Sequence, residues 1–213
     1  MLTISKKLFY AALILVALSS LFNCSAIIAE RPLLNDKTSD EINISDAYWI
    51  VYADDSNEPG SAWKVEQSGF FNKSKIWVVN NDDEKVYIRA KKVDSRKDTY
   101  IAQCTFWDKG KPLTMIGYVT KNSSKEYVLY QISSAGVEMA KNSGVLKKLG
   151  DLYEIDDKGS SKSITFNSQA VELYSDEILK FIESLNINID FKVVGKIKVS
   201  DEKTVKQFWN KKN

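Results

Sequence analysis

The strongest constraint on the fold is a run of strand-like segments between residues 47 and 132. Six segments rich in β-branched and aromatic residues follow one another: AYWIVY (47–52), KIWVVN (75–80), KVYIRAKKV (85–93), DTYIAQCTFW (98–107), LTMIGYVT (113–120) and EYVLYQI (126–132). The last five are joined by polar links too short for a crossover between parallel strands. In one link, Asp108-Lys109-Gly110 is a tight-turn signal in which Gly110 adopts a positive φ. The pattern therefore predicts an antiparallel meander.

The meander is predicted to be curved, because several of its segments carry apolar residues on both faces. In EYVLYQI, Val128 and Tyr130 lie on one face, and Tyr127 and Leu129 lie on the other. Such a strand needs apolar contacts on both sides, as in a barrel or beneath covering helices.

Two helices are predicted in the C-terminal part of the chain. Ser134 can cap AGVEMAKNS, which stops at Gly144. Ser175 can cap DEILKFIESL, whose apolar residues recur with the spacing of a buried helical face. SITFN and residues 190–199 add two strands. The expected fold class is α+β, mostly antiparallel β, with a curved or barrel-like sheet.

The N-terminal 23 residues have the layout of a secretory signal peptide. Lys6 and Lys7 precede an apolar run, residues 8–22, that is too short for a comfortable membrane span. Residues 24–46 are predicted to be a linker or tether, because they contain Pro32 and polar clusters without a sustained period. A single β-rich globular domain is then expected over residues 47–213.

The junction between leader and domain can be processed in two ways. The tetrapeptide LFNC, ending at Cys24, resembles a lipobox at its first and last residues, although Asn23 replaces the usual small residue. Cleavage there would make Cys24 an acylated N terminus. Ordinary signal-peptidase cleavage after Ala26 or Ala29 also satisfies the small-residue rule. Both routes imply export, and the junction alone leaves both open.

The charge balance argues against nucleic acid as a partner. The chain has 30 basic and 28 acidic residues, and residues 1–23 hold two of the basic and none of the acidic ones. From Cys24 onward the count is therefore 28 against 28. A neutral domain without a basic run has no electrostatic attraction for phosphate backbones.

Few catalytic chemistries are compatible with this composition. The chain has no histidine, which excludes Ser–His and Cys–His catalysis and histidine metal ligands. Cys104 lies mid-strand among apolar residues and is predicted to be a protonated, unreactive thiol. The pairs Asp54–Asp55, Asp82–Asp83 and Asp156–Asp157 lie in turn-like segments, and they keep open a carboxylate-dependent hydrolase. No cofactor is expected, and an enzyme is the less favoured class.

One segment partly matches a calcium loop. Asp55, Asn57, Gly60 and Glu66 fall on positions 1, 3, 6 and 12 of that motif. Pro59, however, occupies position 5, where a side-chain oxygen is needed. A turn between β segments is the simpler interpretation, and no metal is expected.

The C-terminal segments resemble small bacterial envelope lipoproteins of unassigned function. The matching features, over about the last two-fifths of the chain, are a strand, a helix ending in a Gly-x-Leu-Lys step (Gly144, Leu146, Lys147), and then a further strand and helix. This resemblance implies an envelope location and a barrel-like or lipocalin-like sheet. It favours acylation of Cys24 and implies no activity.

The expected function is therefore that of an exported envelope protein, a lipoprotein that works as a non-enzymatic binding or interaction module. Its expected partners are the membrane, through a lipid on Cys24, and either an envelope protein or a small apolar ligand. The expected location is the periplasm or the outer membrane of a bacterium. For a lipid-anchored chain the outer membrane is favoured, since Ser25 is not the Asp that commonly retains lipoproteins at the inner membrane. A hydrolase of the envelope and a purely structural surface lipoprotein are the alternatives.

Overall fold

The computed structural model describes residues 25–41, 48–54, 56–67, 75–80, 85–108, 110–157 and 162–212. Its strands are β1 (Ala26–Ala29), β2 (Tyr48–Ala53), β3 (Pro59–Gln67), β4 (Ile76–Val79), β5 (Lys85–Lys92), β6 (Thr99–Asp108), β7 (Lys111–Ser123), β8 (Glu126–Ile132), β9 (Tyr153–Asp156), β10 (Ser163–Phe166) and β11 (Phe191–Ser200). Its helices are α1 (Ser134–Lys141), α2 (Gly144–Lys147), α3 (Ser168–Ser184) and α4 (Glu202–Lys212), and a 3-10 turn covers Gly150–Leu152.

Eight strands close into an antiparallel barrel. Their order is β6-β5-β4-β3-β2-β11-β8-β7, and the pairing of β6 with β7 closes the ring. The predicted mostly antiparallel, barrel-like sheet is confirmed. The turn at Gly110, with φ of 80°, joins β6 to β7 as predicted. An eight-stranded barrel has an interior that side chains can just fill or that can hold one small ligand.

Three further strands extend the sheet from β7. The first half of β7 pairs with β1, and its second half pairs with β8. The partner changes at Gly117, where an added Cβ would lie 2.4 Å from the carbonyl oxygen of Tyr130. Only glycine permits this approach of two backbones. β1 also pairs in parallel with β10, which pairs in turn with β9.

The predicted linker, residues 24–46, is wrong for its described residues. Ala26–Ala29 is a strand of the sheet, and Leu33 and Leu34 belong to the core. The buried side chain of Gln103 accepts a hydrogen bond from the Leu34 N–H (2.6 Å) and donates one to its carbonyl oxygen (3.0 Å). A strand of four residues is too short to show a period, and its partners are distant in sequence.

The number and the limits of the helices differ from the prediction. The described residues contain four helices in place of two. α3 begins at Ser168, where Asn167 caps the helix by accepting the N–H of Ala170 at 2.8 Å. Ser175, predicted to cap this helix, lies inside it. It directly follows a kink at Tyr174, whose backbone is not helical (φ −133°, ψ 27°). β3 and β9 are also missing from the predicted strands.

The helices cover the outer wall of the barrel. α1, α2 and α3 pack over the outward faces of β6, β7 and β8, forming the largest core cluster. Within this cluster the buried Tyr118 donates a hydrogen bond to the carbonyl oxygen of Ile182 (2.7 Å). α4 covers the outward faces of β2 and β3, where Trp209 donates to the carbonyl oxygen of Ala62 (3.0 Å). None of the helices in the described ranges is long and apolar enough to cross a membrane.

Candidate ligand-binding site

The lumen of the barrel is lined by apolar side chains. Successive residues of a strand point to opposite faces, so alternate residues of each barrel strand face inward. The inward set forms one apolar cluster, separate from the cluster under the helices. Its members are Trp49, Val51, Trp63, Val65, Ile76, Val78, Val86, Ile88, Cys104, Phe106, Tyr127, Leu129, Ile197 and Val199.

The inward-facing residues of β6 keep accessible surface, whereas its outward-facing residues do not. The outward-facing residues 101, 103 and 105 are each 0% exposed, because the rest of the chain covers them. The inward-facing residues Ala102, Cys104 and Phe106 are only partly buried. A side chain inside a closed barrel keeps accessible surface only where it borders unoccupied space or a mouth of the barrel.

The neighbouring strand β7 repeats this pattern. Its outward residues 114, 116 and 118 are buried, whereas the inward Leu113, Met115 and Gly117 are only partly buried. Two adjacent strands therefore border the same space. Inward surface therefore remains accessible along β6 and β7.

A row of small residues accounts for this space. Ala90 pairs with Ala102, and Ala102 pairs with Gly117, so three neighbouring strands carry minimal side chains side by side. On the far side of the barrel Trp49 and Trp63 are 7% and 5% exposed and pack closely. The lumen is thus closely packed around Trp49 and Trp63, whereas the inward residues of β5, β6 and β7 keep accessible surface, as do Val51 of β2 and Leu129 of β8. We call Ala90, Ala102, Cys104, Met115 and Gly117 the lumen site.

The lumen site is a place for binding rather than for nucleophilic chemistry. Burial raises the pKa of the Cys104 thiol to about 12. The thiol is therefore protonated at neutral pH, as the sequence predicts, and protonated thiols are poor nucleophiles.

Two polar atoms near the inner face lack hydrogen-bond partners within the described structure. They are Nε1 of Trp49 and Oε1 of Gln131, both buried. Gln131 lies on the same face of β8 as Leu129, a member of the lumen cluster. Leaving a buried polar atom unpaired costs about 1–3 kcal/mol, and such groups are often satisfied by a water or a ligand.

Two of the predicted calcium residues, Gly60 and Glu66, lie far apart in the described structure. Cys24 and Asp55 lie outside the described residues. Gly60 and Glu66 belong to the same extended strand, β3, and are about 20 Å apart at the usual rise per residue. Ligands of one calcium ion lie within 2.3–2.6 Å of it, so this strand is incompatible with a calcium loop.

Glu66 has a different role. Its carboxylate accepts a hydrogen bond from Nζ of Lys64 at 2.9 Å, and this bond lowers the pKa of Glu66. No group of three or more Cys, Asp and Glu side chains in the described segments could hold a metal ion.

The carboxylate pairs do not form a catalytic pair in the described part of the chain. Asp82 and Asp83 lie outside it, and Asp54 is exposed. Asp157, at the end of β9, accepts a hydrogen bond from Nζ of Lys141 at 2.6 Å. This bond lowers the pKa of Asp157, which favours an ionised carboxylate and not a general acid.

A second concave site lies between the turn at residues 35–40, the end of β5 and α3, with a volume of about 450 Å³. Lys91 and Glu183 form an ion pair across it (2.5 Å), and the Asp40 carboxylate accepts the backbone N–H of Lys92. Its described lining has equal numbers of opposite charges: Lys37, Lys91, Lys92 and Lys180 against Asp40, Asp94, Asp176 and Glu183. This balance favours neither an anion nor a cation, so the lumen is the stronger candidate.

Comparisons of the chain with protein-family models, with curated proteins and with solved structures found no match. The geometry of the lumen is therefore the basis for a functional proposal.

Proposed function

We propose that this protein is a non-enzymatic binding module that takes a small apolar ligand into the lumen of its barrel. The observation that carries the proposal is the burial on β6 and β7, where the inward residues retain more accessible surface than the outward ones. A barrel enclosing one small ligand is lipocalin-like in this respect. We further propose that it acts in a bacterial envelope as an exported lipoprotein, held at the periplasmic face of the outer membrane through Cys24.

The lining of the lumen site defines the class of ligand. Alanine, methionine, glycine and a protonated thiol offer no charge, so an ionised group would be desolvated there without compensation. Apolar contact is favourable at about 25 cal/mol per Å² of surface removed from water. The unpaired Oε1 of Gln131 and Nε1 of Trp49 can each satisfy one polar group. A largely apolar, uncharged molecule with few polar atoms fits this lining.

Binding of a neutral apolar fluorophore tests the proposal. The protein from residue 24 onward, with Cys24→Ala so that it carries no lipid, is titrated with N-phenyl-1-naphthylamine. We expect saturable enhancement of the probe's emission and quenching of tryptophan emission, since Trp49 and Trp63 line the lumen. Ala102→Leu fills the open space and is expected to weaken binding about tenfold or more, equivalent to about 1.4 kcal/mol.

The matched control is Ala135→Leu, the same substitution at an exposed position of α1, which should leave the dissociation constant unchanged. Ala90→Leu fills the same space from β5 and keeps the test informative if Ala102→Leu does not fold. Thermal unfolding is recorded for all three variants. The proposal is contradicted if the wild-type protein does not bind the probe, or if both filled variants bind it as tightly as the wild type.

The alternative functions have weaker support. A purely structural surface lipoprotein would bind no probe in its lumen, so the titration separates it from a binding module. A carboxylate-dependent glycoside hydrolase needs two converging carboxyl groups, one of them protonated, and Asp157 is instead paired with Lys141.

A further inference from the structure

Three aromatic rings lie together on the outer face of the barrel. They belong to Trp77 of β4, Tyr87 of β5 and Trp107 of β6, and each is preceded in sequence by a member of the lumen cluster, so each points outward. The ring centroids of Tyr87 lie 5.5 Å from Trp77 and 5.4 Å from Trp107, and those of the two tryptophans are 6.1 Å apart. We call Trp77, Tyr87 and Trp107 the outer aromatic cluster.

The outer aromatic cluster is not part of a hydrophobic core in the described structure. None of its three rings belongs to the cluster under α1–α3, to the lumen cluster or to the cluster under α4. Tyr87 is buried beneath its neighbours, whereas Trp107 is 47% exposed. Exposed aromatic surface of this kind is typical of a site that meets a ligand or a partner.

A positive charge already lies against the cluster. Nζ of Lys75 is 5.0 Å from the ring centroid of Trp77 and 4.9 Å from that of Tyr87. The two ring planes are inclined at 77°, so the ammonium occupies the corner between them. Among the described residues, Nζ of Lys75 forms neither an ion pair nor a hydrogen bond. The ring faces therefore attract this cation, through the negative potential above each ring.

The corner has the chemistry of a site for a cation without N–H groups. The ammonium of a lysine carries N–H donors that need acceptors, and within the described structure the corner supplies only ring faces to Lys75. Those donors depend on water. A quaternary ammonium has no donors to satisfy, and aromatic faces are the common means of recognising it.

We propose that the outer aromatic cluster binds a trimethylammonium group, and that the side chain of Lys75 occupies this site when the ligand is absent. The site lies on the outer face of the barrel wall and goes beyond the proposed binding in the lumen. Lys75 precedes β4 and lies outside its ladder, so its side chain can leave the corner without breaking the sheet. Trp107 packs against both rings and supports them. Lys75 therefore competes with the ligand.

Nuclear magnetic resonance of the indole N–H groups tests the site. The lipid-free protein is titrated with choline chloride, which replaces sodium chloride at constant ionic strength. We expect saturable shifts for Trp77 and Trp107, and none for Trp49 and Trp63 in the lumen. Lys75→Ala should bind choline about fivefold more tightly, and Trp77→Leu should bind it about tenfold more weakly. A contact that only stabilises the fold would give no gain in affinity in Lys75→Ala.

Two controls separate charge from shape and position. The uncharged 3,3-dimethyl-1-butanol has the shape of choline and should shift neither tryptophan of the cluster. Lys85→Ala should bind choline as the wild type does, because the ammonium of Lys85 lies 4.0 Å from the Glu66 carboxylate and not over a ring. Trp107→Leu, at an exposed position, should also weaken binding and replaces Trp77→Leu if that variant does not fold. Equal shifts with both compounds, or unchanged affinity in Lys75→Ala, overturn the proposal.

Vesicles distinguish the two sources of a trimethylammonium group. Sedimentation of the lipid-free protein with phosphatidylcholine vesicles, but not with phosphatidylglycerol vesicles, and its release by choline would assign a lipid headgroup. Saturable shifts with choline and no sedimentation would assign a small soluble cation. The proposal is wrong if neither choline nor phosphatidylcholine binds.

Discussion

Replacing Gly136 by alanine is expected to lower the free energy of unfolding by about 2–3 kcal/mol, although alanine is the better helix former. An added Cβ would lie 2.3 Å from the carbonyl oxygen of Asp190 and 2.7 Å from Cγ1 of Ile132. The carbonyl cannot retreat freely, because it also accepts the N–H of Ser133 at 2.7 Å. In thermal unfolding, we expect the midpoint to fall by about 4–12 °C for a domain of this size.

Gly144→Ala is the matched control, since both glycines are in helices. Nothing described in the structure lies within 4 Å of a Cβ at Gly144. Alanine there restricts the unfolded chain without a clash, and stability should rise by about 0.4–1 kcal/mol. If both variants gained stability, α1 would not lie against the segment around Asp190.

The curved antiparallel meander was predictable because its signal is local, whereas its closure needs the pairing of β11 with β2 and β8, which are distant in sequence. Inward and outward positions alternate within each strand. A segment that is apolar on both faces can therefore be predicted as a strand covered on both sides without reference to its neighbours. β1 and β9 have four residues each, and their partners are distant in sequence. β3 begins with Pro59 and Gly60, which indicate a turn, and its alternation of Trp63 and Val65 with polar residues follows only later.

The lumen site was half predictable. The tight turn at Gly110 pairs Asp108 with Lys111, and continuing this register along both strands brings Ala102 opposite Gly117. The link between β5 and β6 has no comparable turn signal, so the pairing of Ala90 with Ala102 could not be read from the sequence. A cluster of small residues from different strands can be predicted only when the register of those strands is known.

Alkaline pH is expected to destabilise the protein by about 4–6 kcal/mol between pH 9 and pH 12. Burial raises the pKa of Cys104 and of Tyr118 to about 12 each. In the unfolded chain these groups titrate near 8.5 and 10. Above those values the unfolded state loses protons that the folded state keeps, so stability falls as pH rises. Below about pH 8.5 their contribution is fully present.

Urea unfolding at a series of pH values measures this slope in the wild type and in the variants Cys104→Ala and Tyr118→Phe. Tyr118→Phe loses the hydrogen bond to Ile182, so it should be less stable by about 1 kcal/mol at neutral pH. It should nevertheless lose less stability than the wild type between pH 9 and pH 12, and the double variant should lose least. Lysine titration affects all four proteins alike, so only the differences between their slopes report the two buried acids. Parallel slopes in all four proteins would mean that folding raises the pKa of neither group.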